Sequence, residues 1–227
     1  MFSVIFEFRP KAEKKDEYLG LAHRLRPILQ TMDGFVDNER FESALRPGWL
    51  LSHSSWRDEK SLVRWRTNAE HCAVQARGRS EIFDDYHLRV GEQIADSDPP
   101  PHAAIGQSRF DETEIGSAKI VTFTEVAPIE ASALTADRLP AELGLDLNQG
   151  ALAGYDIWAS IYHEGNLAVL VGWKDAKSAE AFAPRKTDAI DKLRHRKVRI
   201  LRDYGRFDRR EAPQFYPDIT DARAAPP

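Results

Sequence analysis

Cysteine is almost absent from this chain: Cys72 is the only one in 227 residues. That excludes an internal disulfide and a thiolate metal cluster. No apolar run approaches the ~20 residues a membrane-spanning helix needs. The N-terminal stretch MFSVIFEFRP lacks the charged leader and small-residue cleavage site of a secretory signal. A cytoplasmic protein without a membrane partner is therefore expected. Excess charge of one sign is missing too. The formal net charge is -4, which gives no electrostatic pull toward nucleic acid. Arg and Lys gather between Arg185 and Arg210, but Asp188, Asp191, Asp203 and Asp208 interrupt them, so the run reads as a solvated mixed-charge surface. Metal-ligand spacing is lacking, since His71 has no histidine four residues on and no His/Asp/Glu triplet shares a face. Neither a glycine-rich phosphate loop nor a Gly-x-Ser-x-Gly nucleophile elbow is present.

What the chain does contain is a repeat. Trp56-Arg57-Asp58-Glu59-Lys60-Ser61 returns as Trp173-Lys174-Asp175-Ala176-Lys177-Ser178, an offset of 117 residues. At the same offset Val4 and Phe6 fall on Val121 and Phe123, Phe41 on Trp158, and Gly48 on Gly165. An offset held through a strand, a hairpin and a helix start implies two copies of one small α+β unit.

In the first copy, Phe2–Phe8 alternates with period two, the pattern of a strand. A helix is expected from about Lys11 to Thr31, with Tyr18, Leu21, Ala22, Leu25, Ile28 and Leu29 in its apolar stripe. Pro27 inside that stripe should kink or split it. Phe35–Ser43 and Trp49–Trp56 read as a hairpin turning at Arg46-Pro47-Gly48. Asp58 is a plausible N-cap for a helix to about Arg77, and Asn68 a second cap that breaks it in two. Tyr86–Ala95 closes the unit as a strand.

The order β-α-β-β-α-β is ferredoxin-like. Its strands are apolar on both faces, and two helices cover only one, so a second sheet is needed to cover the other. The expected division is 1–96 for the first unit, 97–117 for a linker opening on an extended Asp98-Pro99-Pro100-Pro101, 118–205 for a second, degenerate unit, and 206–227 for a C-terminal arm. In the second unit strands are expected at Ala118–Val126, Leu152–Tyr162, Leu167–Trp173 and Lys197–Tyr204. Helical regions are expected at Pro128–Leu143 and from Asp175.

Ser54-Ser55-Trp56-Arg57-Asp58-Glu59-Lys60-Ser61-Leu62, Trp65-Arg66-Thr67-Asn68-Ala69-Glu70-His71, Gln75-Ala76-Arg77 and Tyr86-His87-Leu88-Arg89-Val90 resemble the antibiotic biosynthesis monooxygenase superfamily. The resemblance covers most of 2–95, and 118–205 only through fold order and the Trp173 segment. It implies a dimeric-type α/β barrel of two paired sheets, formed within one chain as a pseudo-dimer or between chains as a homodimer. It also implies a small-molecule pocket between sheet and helices. Some members oxygenate phenolic or quinol-like molecules with no metal or flavin. Others degrade haem, but these carry an iron-binding histidine about where Gln75 stands and an asparagine in the first strand, which Phe2–Phe8 lacks. Both departures argue against haem.

Within that resemblance Trp56 and Trp65 are candidate pocket walls, although the return of Trp56 as Trp173 favours a packing role for it. Gln75 and Tyr86 are candidate substrate contacts. His71 projects to solvent on an unbroken helix but can turn inward if the helix breaks at Asn68. A neutral imidazole there would serve as base toward a phenol, whose pKa is about 10. His53 sits mid-strand on the face opposite Trp56 and needs a hydrogen-bond partner if that face is buried. The expectation is a monooxygenase-type enzyme that needs no cofactor and acts on a small aromatic substrate. A non-catalytic small-molecule binder or an assembly protein on the same fold is the alternative.

Overall fold

Eight antiparallel strands close on themselves in the computed structural model, which describes residues 1–110 and 116–208. The first half supplies β1 (Phe2–Pro10), α1 (Lys15–Thr31), β2 (Phe35–Ser43), β3 (Leu50–Trp56), α2 (Glu59–Arg66), α3 (Ala69–Arg77) and β4 (Phe83–Asp96). The second supplies β5 (Ile120–Pro128), α4 (Leu139–Leu143), β6 (Leu152–Ser160), β7 (Leu167–Trp173), α5 (Ala176–Ala181) and β8 (Ile190–Gly205). The order around the barrel is β1-β3-β2-β6-β7-β5-β8-β4, with β4 returning to β1. Each half keeps the ferredoxin-like order, and like edges meet, β2 with β6 and β4 with β8. Both seams form within one chain.

The period-two pattern decides what faces where. Phe2, Phe6 and Phe8 turn outward to the helices, and Ile5 turns into the barrel. Phe41, Phe123, Trp158, Leu170 and Val198 join Ile5 there. The two sheets thus cover each other's inner faces.

The repeat is real, but its register differs from the sequence expectation at one strand. Phe2 pairs with Trp56, and Ile120 pairs with Trp173, so Ile120 is the counterpart of Phe2. Val4 therefore corresponds to Thr122 and Phe6 to Thr124, not to Val121 and Phe123. A one-residue slip flips a strand's faces: Val121 and Phe123 lie inside the barrel, whereas Val4 and Phe6 lie under the helices. Phe41 and Trp158 do correspond, and both are in the barrel core. The caps repeat as well. Asp58 accepts from Ser61 N at 2.7 Å, and Asp175 accepts from Ser178 N at 2.8 Å.

Several local expectations are corrected. α1 continues unbroken through Pro27. Pro27 and His23, whose carbonyl loses its partner, both lie on the exposed face, so the freed group is not buried. The expected helical region Pro128–Leu143 is mostly turns, with α4 confined to Leu139–Leu143. β8 begins at Ile190, not Lys197, and β4 at Phe83, not Tyr86. The chain turns at Pro100, whose carbonyl accepts from Ala103 N at 3.1 Å, so the Pro-rich stretch is not a simple extended spacer. Of the expected arm, residues 209–227 lie outside the described residues.

The basic run is not a solvated surface either. Its centre is built into β8, and Arg196 is only 2% exposed. Arg196 pairs with Glu125, and with Asp37 at 3.5 Å. Arg194 holds Asp37 and Asp96 at 2.9 and 2.8 Å. A second buried cluster ties the halves together. Arg46 reaches Glu7 at 2.5 Å and Asp156 at 2.6 Å, and Arg89 also binds Glu7. Burial alone would raise the Glu7 carboxyl, but Arg89 and Arg46 outweigh it and hold it below the usual range. Among the described residues no helix is long and apolar enough to cross a membrane.

Candidate active site

Between the first half's sheet and its helices lies a cavity of about 210 Å³. An apolar cavity of ~150 Å³ accepts benzene, and pockets for drug-sized molecules run to ~300–1,000 Å³, so the space suits a small ligand. Its floor includes Val4, Phe6, Ser52, Ser54, Leu88 and Val90, and its roof Tyr18, Ala22 and Leu25 of α1 with Leu62, Trp65 and His71 of α2 and α3.

Comparison of the halves explains why the cavity exists. At the positions of Ser52 and Ser54 the second half has Val169 and Val171, both fully buried. Its sheet–helix space is filled by Leu134, Leu139, Leu143, Leu145 and Phe182. Small polar residues on β3, beneath longer helices, leave room in the first half.

The break between α2 and α3 places His71. Asn68 Oδ1 accepts from Glu70 N at 3.1 Å and His71 N at 3.2 Å, starting a new helix. His71 thereby turns inward and is half-buried, rather than facing solvent as on an unbroken helix. Its ring stacks on Trp65 with centroids 4.1 Å apart and planes 13° apart. Nδ1 lies 3.0 Å from the Trp65 carbonyl and 3.0 Å from Gln75 Nε2. A carbonyl only accepts, so Nδ1 carries the hydrogen and donates to it, and Gln75 donates to the Arg66 carbonyl at 3.1 Å. That tautomer leaves a lone pair on Nε2. Burial pushes the imidazole down to about 4, against a smaller upward pull from the Trp65 carbonyl, so His71 is neutral near pH 7.

Trp65, His71, Gln75 and Tyr86 all line the cavity. Tyr86 accepts from Arg79 Nη1 at 2.7 Å. Trp56 and His53 are placed elsewhere. Trp56 is fully buried with Phe2, Leu29 and Leu62 and donates to Ser54 Oγ at 3.0 Å. His53 is inside the barrel, 3.1 Å from Ser3 Oγ, and borders a separate polar cavity of about 590 Å³ with Asp37, Glu125 and Arg196. Burial, then the charge of Arg196, push it down to about 3.

Sequence reasoning missed Arg40 and Asn38, which also line the cavity. A signal was available: Arg40 stands where the repeat has the apolar Ile157. Among the described residues no three His, Cys, Asp or Glu side chains could together hold a metal ion.

A helix-covered barrel of two paired ferredoxin-like sheets, with a small cavity under the helices of one, defines the class. Residues 1–77 match the model of the antibiotic biosynthesis monooxygenase family, and the chain belongs to that family. It is 40% identical over 222 residues to the jasmonate monooxygenase ABM of Pyricularia oryzae, covering 96% of this chain and 99% of that protein. It is also 29% identical over 91 residues to the uncharacterized protein YqjZ of Bacillus subtilis, covering 40% of this chain and 77% of that one. Among solved structures, an anthrone oxidase-like protein is a loose likeness, with 13% identity, a TM-score of 0.37, and coverage of 94% and 96% of the two chains.

Proposed function

We propose that this chain is a monooxygenase whose substrate is a small, mostly apolar molecule of the jasmonate type, a cyclopentanone bearing an acid arm, held in the first-half cavity. The observation that carries the reading is His71, a neutral imidazole on the wall of a largely apolar cavity, with Nδ1 committed to Trp65 and Nε2 without a partner among the described residues. The full-length likeness to a jasmonate monooxygenase supports the substrate class.

Dioxygen accepts electrons from an enolate or phenolate far more readily than from the neutral molecule. The first task is therefore removal of a proton. Nε2 of His71 is where that proton goes. The substrate anion then takes up dioxygen and a proton to give a hydroperoxide, which loses water to leave a carbonyl. In sum, a CH2 group and O2 become C=O and H2O, and all four electrons that reduce the dioxygen come from the substrate. Burial makes His71 a weak base in the empty cavity. A developing anion beside it favours the imidazolium and raises its proton affinity as the transfer proceeds.

A second reading keeps the same chemistry on an electron-rich phenol. The flat Trp65–His71 stack favours it, because aromatic rings pack well on such a wall. The test is dioxygen consumption by the purified protein with jasmonate and with a hydroquinone in parallel. Uptake stoichiometric with jasmonate supports the first reading, and uptake with the hydroquinone alone supports the second. No uptake with either contradicts both.

A further inference from the structure

Arg40 is 8% exposed and lines the cavity, yet no carboxylate of the described residues pairs with it. Its partners are neutral. Nη1 donates to Tyr162 Oη at 2.5 Å and to Asn38 Oδ1 at 3.1 Å, and Nε lies 3.4 Å from Tyr18 Oη. A buried guanidinium without a counter-charge is costly. The fold does not require it, since the equivalent position of the second half is the buried Ile157. The arrangement is also built. Asn38 Nδ2 donates to Ser52 Oγ at 3.0 Å and to the His53 carbonyl at 2.8 Å, which turns its Oδ1 toward Arg40. Tyr162 comes from the second half's β6–β7 hairpin, pinned by Ile161 N to the Arg40 carbonyl at 2.9 Å. Among the described residues the one carboxylate lining the cavity is Glu59, already held by Arg109 and by Arg202 at 3.1 Å.

We infer that Arg40 is the anion anchor of the cavity, and that the ligand there carries one carboxylate that completes its missing counter-charge. The inference rests on the proposed cavity as the substrate site, but not on oxygen chemistry taking place in it. A guanidinium presents paired N–H donors to a carboxylate, which fixes orientation as well as charge. The acid arm docks at β2, and the apolar body lies along the floor toward Trp65 and His71. Tyr162 and Asn38 are positioning residues that hold the guanidinium. The second half, which has no such charge at Ile157, then contributes to the site through its hairpin.

The test is calorimetric binding of jasmonic acid and its methyl ester to the full chain, the ester differing by the loss of the charge. Wild type should bind the acid about 10–150-fold more tightly, the span of a charge-assisted hydrogen bond. Arg40→Met should bind both about equally, at the ester's affinity, with a melting temperature no lower than wild type. Arg40→Lys should restore part of the preference, and Tyr162→Phe should reduce it without abolishing binding. Equal wild-type affinity for acid and ester overturns the inference, as does an acid preference that survives Arg40→Met. If Arg40→Met is unstable, the wild-type comparison and Arg40→Lys still decide. An Arg40-dependent acid preference without dioxygen uptake would leave this inference standing and the proposed activity refuted.

Discussion

The imidazole of His71 lies flat on the indole of Trp65, 4.1 Å between centroids, while its Nδ1 donates to the carbonyl of that same residue. One residue thus sets both the plane and the tautomer of the other. The arrangement exists only because the chain breaks between α2 and α3. His71→Ala is expected to lower kcat by about 100-fold or more, the usual range for a lost general base. Ligand affinity should stay within about three-fold, because the imidazole supplies little of the cavity's binding surface. Dioxygen uptake and calorimetry measure the two separately. A proportional loss of both would assign His71 to binding.

Stability should fall between pH 6.5 and 4. His71 and His195 are held down at about 4 and His53 at about 3, chiefly by burial. Above about pH 6.5, the ordinary histidine value, both folded and unfolded states are neutral and nothing is lost. Below it the unfolded chain takes up protons that the folded one refuses, so stability declines as pH drops. Melting temperature against pH should be flat above 7 and slope downward from 6.5. A flat profile down to pH 4.5 would mean these rings are hydrated.

Arg196 is the most deeply buried of the barrel's arginines, and its loss would leave Glu125 without its partner. Breaking a buried pair from one side typically costs ~3–5 kcal/mol. Arg196→Ala should fall toward the low end, because Arg194 still holds Asp37 and Asp96. By contrast Arg57→Ala, which removes a pair with Asp33 exposed on both sides, should leave stability unchanged. Urea denaturation of the two variants checks the contrast.

The barrel was legible because both faces of the strands are apolar, and because the Trp-x-Asp-x-x-Ser signature recurs with its cap intact at Asp58 and Asp175. The slip at β5 was not legible. Val4 and Val121 match in the sequence, but only the pairing of Phe2 with Trp56 and of Ile120 with Trp173 reveals that they face opposite ways. The Asn68 cap made the inward turn of His71 readable as a condition, although not as a fact. Arg40 is not legible as a cavity residue, because a charged residue on a strand gives no sign of burial until the covering helix is placed. The basic segment around Arg196 misled for the same reason, since its carboxylate partners Asp37, Asp96 and Glu125 are remote in sequence.

If the reaction takes place in the first-half cavity, filling that cavity should stop it. Ala22 is buried on its roof, and Ala22→Trp should fill it. Wild type and this variant should be incubated with jasmonate under isotopically labelled dioxygen and the products weighed by mass spectrometry. The expected result is one labelled oxygen atom in the wild-type product and none above background with the folded variant. Equal labelling by both proteins would place the reaction somewhere else and contradict a site in the cavity.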